Sequence, residues 1–216
     1  MRSGESDPRK LLARLGLDAV RAGLAVASGG NLSARTGDAA GAWVTAAGTW
    51  LDRLDEKAFV RVRLSDGAVL EAAPGARPST EVALHLHTYR VRPDINAIIH
   101  LHPQLAILLD ALGEPIRLVT TDHQVYVRRV ARTPFHPPGT AELAEAAAAA
   151  VADGTNCVLL AHHGCSVLGE DPLMAYRRAV NLEEAARLTY RALLLTGGLP
   201  GRTIEECPPM NVQGLI

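Results

Sequence analysis

Residues 96–103 read NAIIHLHP, an apolar run carrying two histidines one residue apart and closed by a proline. The β-branched pair Ile98-Ile99 and the stop at Pro103 predict a buried strand over 96–101. Side chains alternate across a strand, so His100 and His102 would project from the same face. On a helix the same spacing would splay them apart. An isolated His-x-His is ordinarily two hydrogen-bonded histidines at a strand end, so the neighbouring segments carry the decision.

Residues 158–164, VLLAHHG, repeat the pattern of a buried strand ending in histidines before a glycine. A third imidazole from this strand end would complete a three-histidine site, the ligand set of a catalytic zinc with one open position. His162 and His163 are both available, and spacing does not choose between them. Upstream, PSTE at 78–81 predicts a helix start, with Ser79 as N-cap and Glu81 in the first turn, where the helix dipole favours a carboxylate. That helix should stop before Pro93. A dipole complement would explain Glu81 by itself; beside a metal it becomes a candidate acid–base group.

Outward from this centre, apolar spacing predicts helices over 9–22, 104–112, 140–152 and 172–196. Strands are predicted over 31–35, 42–44, 59–64, 68–71, 117–120, 124–130, 156–161 and 165–168. Ser65-Asp66-Gly67 is a hairpin turn. Short turns between strands favour antiparallel pairing. The expectation is one α/β domain over 1–216, with a mainly antiparallel central sheet flanked by helices. Residues 1–8 are expected to fray, and 199–216 to form a tail lying on the body or on a neighbour.

The bulk composition narrows the function classes. With 22 basic and 23 acidic residues the net charge is −1, which gives no general attraction for nucleic acid or an anionic membrane. The basic cluster Arg128, Arg129 and Arg132 is interleaved with apolar residues, as on a solvated strand face. No apolar run is long enough to span a bilayer. Three cysteines without a CxxC pair read as reduced thiols, and the polar start MRSGESDPRK lacks a signal-peptide core, so a cytoplasmic location is expected.

Four motifs in order resemble the class II aldolase/adducin family: SGGNLS at 28–33, TAAG at 45–48, PSTE with HLHTYRVRPDINAIIHLHP within 78–103, and AHHG at 161–164. The resemblance spans about residues 12–195. It implies a Zn2+ ion, one per chain, held by His100, His102 and His163, the last because the family ligand directly precedes the glycine. Manganese, cobalt or iron would also suit imidazole ligands. It implies Glu81 as acid–base group, and Gly30, Asn31, Gly48, Ser79 and Thr80 as the grip on a substrate phosphate. Gly-Gly permits close backbone approach, and a helix N-terminus offers free N–H groups to an anion.

The implied activity is retro-aldol cleavage of a ketose 1-phosphate to dihydroxyacetone phosphate and an aldehyde, through an enediolate stabilised by the cation. A ring-shaped homotetramer with sites between subunits is implied as well. The family's second acid is a tyrosine from a neighbouring subunit; in TTDHQVY the candidates are Tyr126 and His123, the latter read as a surface loop residue. His162 stands where asparagine is common, and Ala46-Ala47 lack the hydroxyl donor usual in the second phosphate loop. Decarboxylases and dehydratases of the scaffold also use a metal and an acidic group. Epimerases carry aspartate at the Glu81 position, and adducin keeps the fold without the metal set.

Overall fold

The structure is a computed structural model that describes residues 7–38, 40–197 and 204–210. Eight strands form one sheet in the order β4-β3-β2-β1-β5-β8-β7-β6. They are β1 (Asn31–Arg35), β2 (Gly41–Thr45), β3 (Phe59–Arg63), β4 (Val69–Glu71), β5 (Ala97–Leu101), β6 (Val130–Thr133), β7 (Cys157–Leu160) and β8 (Gly164–Gly169). Every neighbouring pair is antiparallel except β6 with β7. That parallel pair is joined through helix α5 (Ala141–Val151), the long crossover that parallel strands require.

Helices cover both faces. The alternation along β5 shows how. Ile99 and Leu101 join one core with Leu12 and Leu15 of α1 (Pro8–Arg21) and Leu182 and Ala186 of α6 (Pro172–Thr196). Ile98 points the other way, into a second core with Leu84 of α2 (Val82–Val91) and Leu143 and Val151 of α5. Burying each of these isoleucines is worth about 1.5–3 kcal/mol. Helix α6 begins with Pro172 at its first position, and Asp171 accepts the Met174 N–H at 2.8 Å. Ala175, Ala179 and Ala186 on its buried face let the helix approach β5 and β8 closely. α3 (Gln104–Ala111) follows Pro103 as its N-cap residue and packs on α6.

Two local expectations are corrected. The segments 117–120 and 124–130 are not strands: residues 117–119 are irregular, and Thr121–Tyr126 form α4. Thr120 caps this helix by accepting the His123 N–H at 3.2 Å. The helix packs against α6, and tertiary packing overrides the β-prone alternation around Val125 and Val127. His123 is accordingly buried at 1 % exposure instead of lying in a surface loop. The second correction concerns α2, which starts two residues later than the Ser79 cap predicts. Glu81 occupies the N-cap position and makes no capping bond with its side chain.

Of the C-terminal segment, residues 204–210 lie against the body. The Cys207 N–H donates to the Leu118 oxygen at 2.8 Å, and the Gln124 amide donates to the Cys207 oxygen at 2.8 Å. The expectation of a frayed start falls largely on residues 1–6, outside the described residues, although Pro8 already opens α1. No helix among the described residues is long and apolar enough to cross a membrane.

Candidate metal centre and active site

The ends of three neighbouring central strands, β1, β5 and β8, meet on one side of the sheet's middle. In the antiparallel register Asn31 of β1 lies opposite His100 of β5, and His100 lies opposite Ser166 of β8. His102 continues past the end of β5, tied down by its N–H to the Leu24 oxygen at 3.0 Å. His163 sits in the tight turn between β7 and β8, its N–H donating to the Leu160 oxygen at 2.9 Å. Gly164 explains why that turn lies so close: a Cβ there would stand 2.3 Å from the Leu101 oxygen and 2.7 Å from the His102 ring. His162 takes the left-handed conformation (φ 57°) that presents His163 inward, and its N–H is held by Asp110 Oδ2 at 3.0 Å.

The result is a cluster of His100, His102 and His163 whose ligand atoms all lie within 4.8 Å of one another. His100 is fully buried. Its Nδ1–H donates to the Cys165 oxygen at 2.9 Å, which leaves Nε2 with a lone pair pointing into the cluster. That Nε2 stands 3.1 Å from His102 Nε2 and 3.1 Å from Glu81 Oε2. Glu81 Oε1 is 3.5 Å from His163 Nε2. Burial pushes the imidazoles of His102 and His163 down to about 4, so both are neutral at neutral pH. Convergence of lone pairs at such distances requires a positive charge among them, a proton or a metal ion. The buried Glu81 Oε1 and His163 Nδ1 also lack hydrogen-bond partners among the described residues. The donor set therefore fits a divalent cation, with three imidazoles as ligands and a carboxylate beside them.

Burial pushes the Glu81 carboxyl up, but a positive charge shared with His100 across their 3.1 Å contact, together with the Asn31 amide, outweighs it and holds the group at about 2. Asn31 Nδ2 donates to Glu81 Oε2 at 2.9 Å. Instead of extending into solvent, this asparagine is 4 % exposed with both ends of its amide engaged.

A cavity of about 320 Å3 opens from the cluster. His102, His163 and Glu81 lie at one end, and Gly30, Asn31, Gly48, Ser79 and Thr80 on its walls. The segment before α2 is strapped to the loop after β2: Ser79 N–H donates to the Thr45 oxygen at 3.0 Å, and Ala47 N–H to the Arg77 oxygen at 2.9 Å. Those bonds set the Gly48 loop beside Ser79 and Thr80 at the start of α2. The sequence reading missed Ser28, Thr49 and Pro138, which also line the cavity. Thr49 stands directly after Gly48, its hydroxyl donating to the Ala46 oxygen at 2.8 Å. Tyr126, on α4, is not among the residues lining the cavity of its own chain. A larger cavity of about 600 Å3, bounded by Ile116, Arg128, Arg132 and Glu206, contains none of these groups.

The chain belongs to the class II aldolase and adducin N-terminal domain family, whose model matches residues 10–190. It is an enzyme of the class II aldolase superfamily. It is 35 % identical over 170 residues to L-fuculose phosphate aldolase of Methanocaldococcus jannaschii, covering 79 % of this chain and 88 % of that one. It is also 33 % identical over 193 residues to 3-oxo-tetronate 4-phosphate decarboxylase of Pectobacterium atrosepticum, covering 87 % and 86 %. A solved L-fuculose 1-phosphate aldolase superposes with a TM-score of 0.80 at 30 % identity, covering 94 % of this chain and 92 % of that one. The eight-stranded mixed sheet with its flanking helices is thus the class II aldolase fold.

Proposed function

We propose that this protein is a zinc-dependent lyase that cleaves a ketose 1-phosphate, of the L-fuculose 1-phosphate type, into dihydroxyacetone phosphate and an aldehyde. The observation that carries this reading is the pairing of a carboxylate with three converging imidazoles, Glu81 Oε2 standing 3.1 Å from His100 Nε2, at a cavity of about 320 Å3. The divalent cation held by His100, His102 and His163 would supply Lewis acidity against the negative charge that develops during carbon–carbon cleavage.

The protein's own groups divide the remaining work. Gly30, Asn31, Gly48, Ser79 and Thr80 bind the phosphate through backbone N–H groups and hydroxyls. In the condensation direction the Glu81 carboxylate removes a proton from the hydroxymethyl carbon of dihydroxyacetone phosphate. The electron pair left on that carbon then forms the bond to the aldehyde carbon. A second acid protonates the aldehyde oxygen, and cleavage runs the same steps backwards. Tyr126 is assigned this second role from a neighbouring subunit, in a homotetramer with sites at subunit interfaces. The domain is taken to extend over 1–216, and the enzyme to work in the cytoplasm on a small phosphorylated sugar, without nucleic acid or membrane as partner.

The similarity to the Pectobacterium decarboxylase favours a second reading. Loss of carbon dioxide from a 3-oxo acid phosphate leaves an electron pair beside a carbonyl, the same charge that the cation and Glu81 would serve. One experiment separates the two. Metal-loaded protein is offered a panel of ketose 1-phosphates and 3-oxo acid 4-phosphates, with dihydroxyacetone phosphate and carbon dioxide both measured. Release of dihydroxyacetone phosphate is expected; carbon dioxide alone would replace the aldolase with the decarboxylase.

A further inference from the structure

Behind the Glu81 carboxylate runs a row of buried polar groups whose side chains neither the metal nor the phosphate grip uses. Asn31 and Ser33 lie on the same face of β1, two residues apart. Opposite them, Glu81 at the N-cap and His85 and Tyr89 on α2 follow one another at intervals of four on one helix face. Ser33 and His85 are fully buried, and Asn31 and Tyr89 are 4 % and 2 % exposed. The contacts link them into one line. Asn31 Nδ2 lies 2.9 Å from Glu81 Oε2, and Asn31 Oδ1 contacts His85 Nε2. Ser33 Oγ lies 2.6 Å from His85 Nδ1 and 2.9 Å from the Tyr89 hydroxyl.

Donor and acceptor chemistry fixes the direction of every bond. An ionised carboxylate only accepts, so the Asn31 amide must turn its NH2 toward Glu81. Its oxygen then faces His85, so His85 carries its hydrogen on Nε2. The imidazole is neutral, because burial pushes it down to about 3. Nδ1 is therefore an acceptor and takes the Ser33 hydroxyl hydrogen. The Ser33 oxygen is left to accept from Tyr89, at 2.9 Å against 3.5 Å for the competing Asn96 oxygen. Any reversal within the row would set two donors or two acceptors face to face in a buried site, at a cost of about 1–3 kcal/mol.

We propose that His85 is a positioning residue, the middle of a one-way hydrogen-bond chain from Tyr89 through Ser33, His85 and Asn31 that holds the Glu81 carboxylate in its working orientation. The chain engages Oε2. It leaves Oε1, which has no hydrogen bond among the described residues, as the oxygen that exchanges the substrate proton. Asn31 thus serves the acid–base group with its side chain and the anion end only through the backbone of its loop. A chain of bonds polarised in one direction also strengthens its last member.

This inference rests on the acid–base reading of Glu81, and a double-mutant cycle distinguishes the failure of each. The four proteins are the wild type, H85F, E81Q and H85F/E81Q, all metal-loaded and assayed for kcat and KM on the substrate found by the product panel. H85F keeps a ring of similar size and removes both bonds. It is expected to lower kcat by about ten- to a hundredfold with little change in KM, and to cause no further loss in the E81Q background. H85Q keeps a donor toward Asn31 and is expected to recover most of the H85F loss. Wild-type kcat in H85F, or an equal fold-loss in both backgrounds, overturns the positioning role while leaving the Glu81 reading intact. Full activity of E81Q overturns that reading itself. S33A, which spares the ring but frees Nδ1, is scored by the same rule should H85F fail to fold.

Discussion

The two ends of the cavity are built from different parts of the chain. At the metal end, side chains do the work, and each is held by a partner behind it: His100 by the Cys165 carbonyl, Glu81 by Asn31, the turn before His163 by Asp110. At the end proposed to take the phosphate, most of the work would fall to backbone, in two loops whose glycines adopt φ values of 91° (Gly30) and 75° (Gly48). Imidazole and carboxylate chemistry requires particular residues, whereas N–H groups require only a particular backbone shape. The metal end should therefore fail all at once when a side chain is changed, and the anion end should weaken by degrees.

The largest effect is expected from His100→Ala. It removes the one ligand that is fully buried and leaves the Cys165 carbonyl without its donor. Bound metal, measured on protein purified without chelator, should fall from about one ion per chain to nearly none. Turnover should fall by a factor of about a thousand or more. Retention of the ion with activity reduced would show that His102, His163 and Glu81 suffice to hold it, and would break the three-imidazole account.

The same contrast decided what was legible in the sequence. Strand β5, its two histidines and α6 were readable because β-branched residues, alternation and a proline start leave unambiguous signals. The order of strands across the sheet was not, because pairing depends on contacts far apart in the chain. The Thr121–Tyr126 helix was misread because Val125 and Val127 alternate like a strand, while its helical state depends on a Thr120 cap and on packing against α6. Thr49 escaped notice because only the folded loop brings it to the cavity wall. His85 stands one turn after Glu81 on the same helix face. That it belongs to a line of five groups could not be read locally, because the line alternates between β1 and α2, some fifty residues apart.

A graded response at the anion end is tested by a glycine pair. In Gly30→Ala the new Cβ would stand 2.6 Å from the His100 carbonyl oxygen, a backbone atom, on top of a left-handed φ of 91°. The strand pair β1–β5 must shift to admit it, and with it Asn31 and His100. A stability loss above about 3 kcal/mol is expected by chemical denaturation, in the range of severe backbone and packing defects. At Gly48 nothing lies within 4 Å of the added atom, so only the φ of 75° is penalised, at about 1–2 kcal/mol. Equal losses at the two positions would contradict the idea that Gly30, unlike Gly48, ties its loop to the metal end.

The smallest effect, and the sharpest on function, belongs to Ser79→Ala. Ser79 Oγ accepts the Glu81 N–H at 3.2 Å, which leaves its hydroxyl hydrogen free for a ligand. If that ligand is a phosphate oxygen, the bond is charge-assisted and worth about 1.5–3 kcal/mol, so KM should rise roughly tenfold or more with kcat close to wild type. The unphosphorylated ketose supplies the control, because it has no anion to lose. Its turnover should be the same in both proteins. A kcat loss that persists on the unphosphorylated sugar would mean that Ser79 acts through the backbone of Glu81, and that the two ends of the cavity are not separate devices at this point of contact.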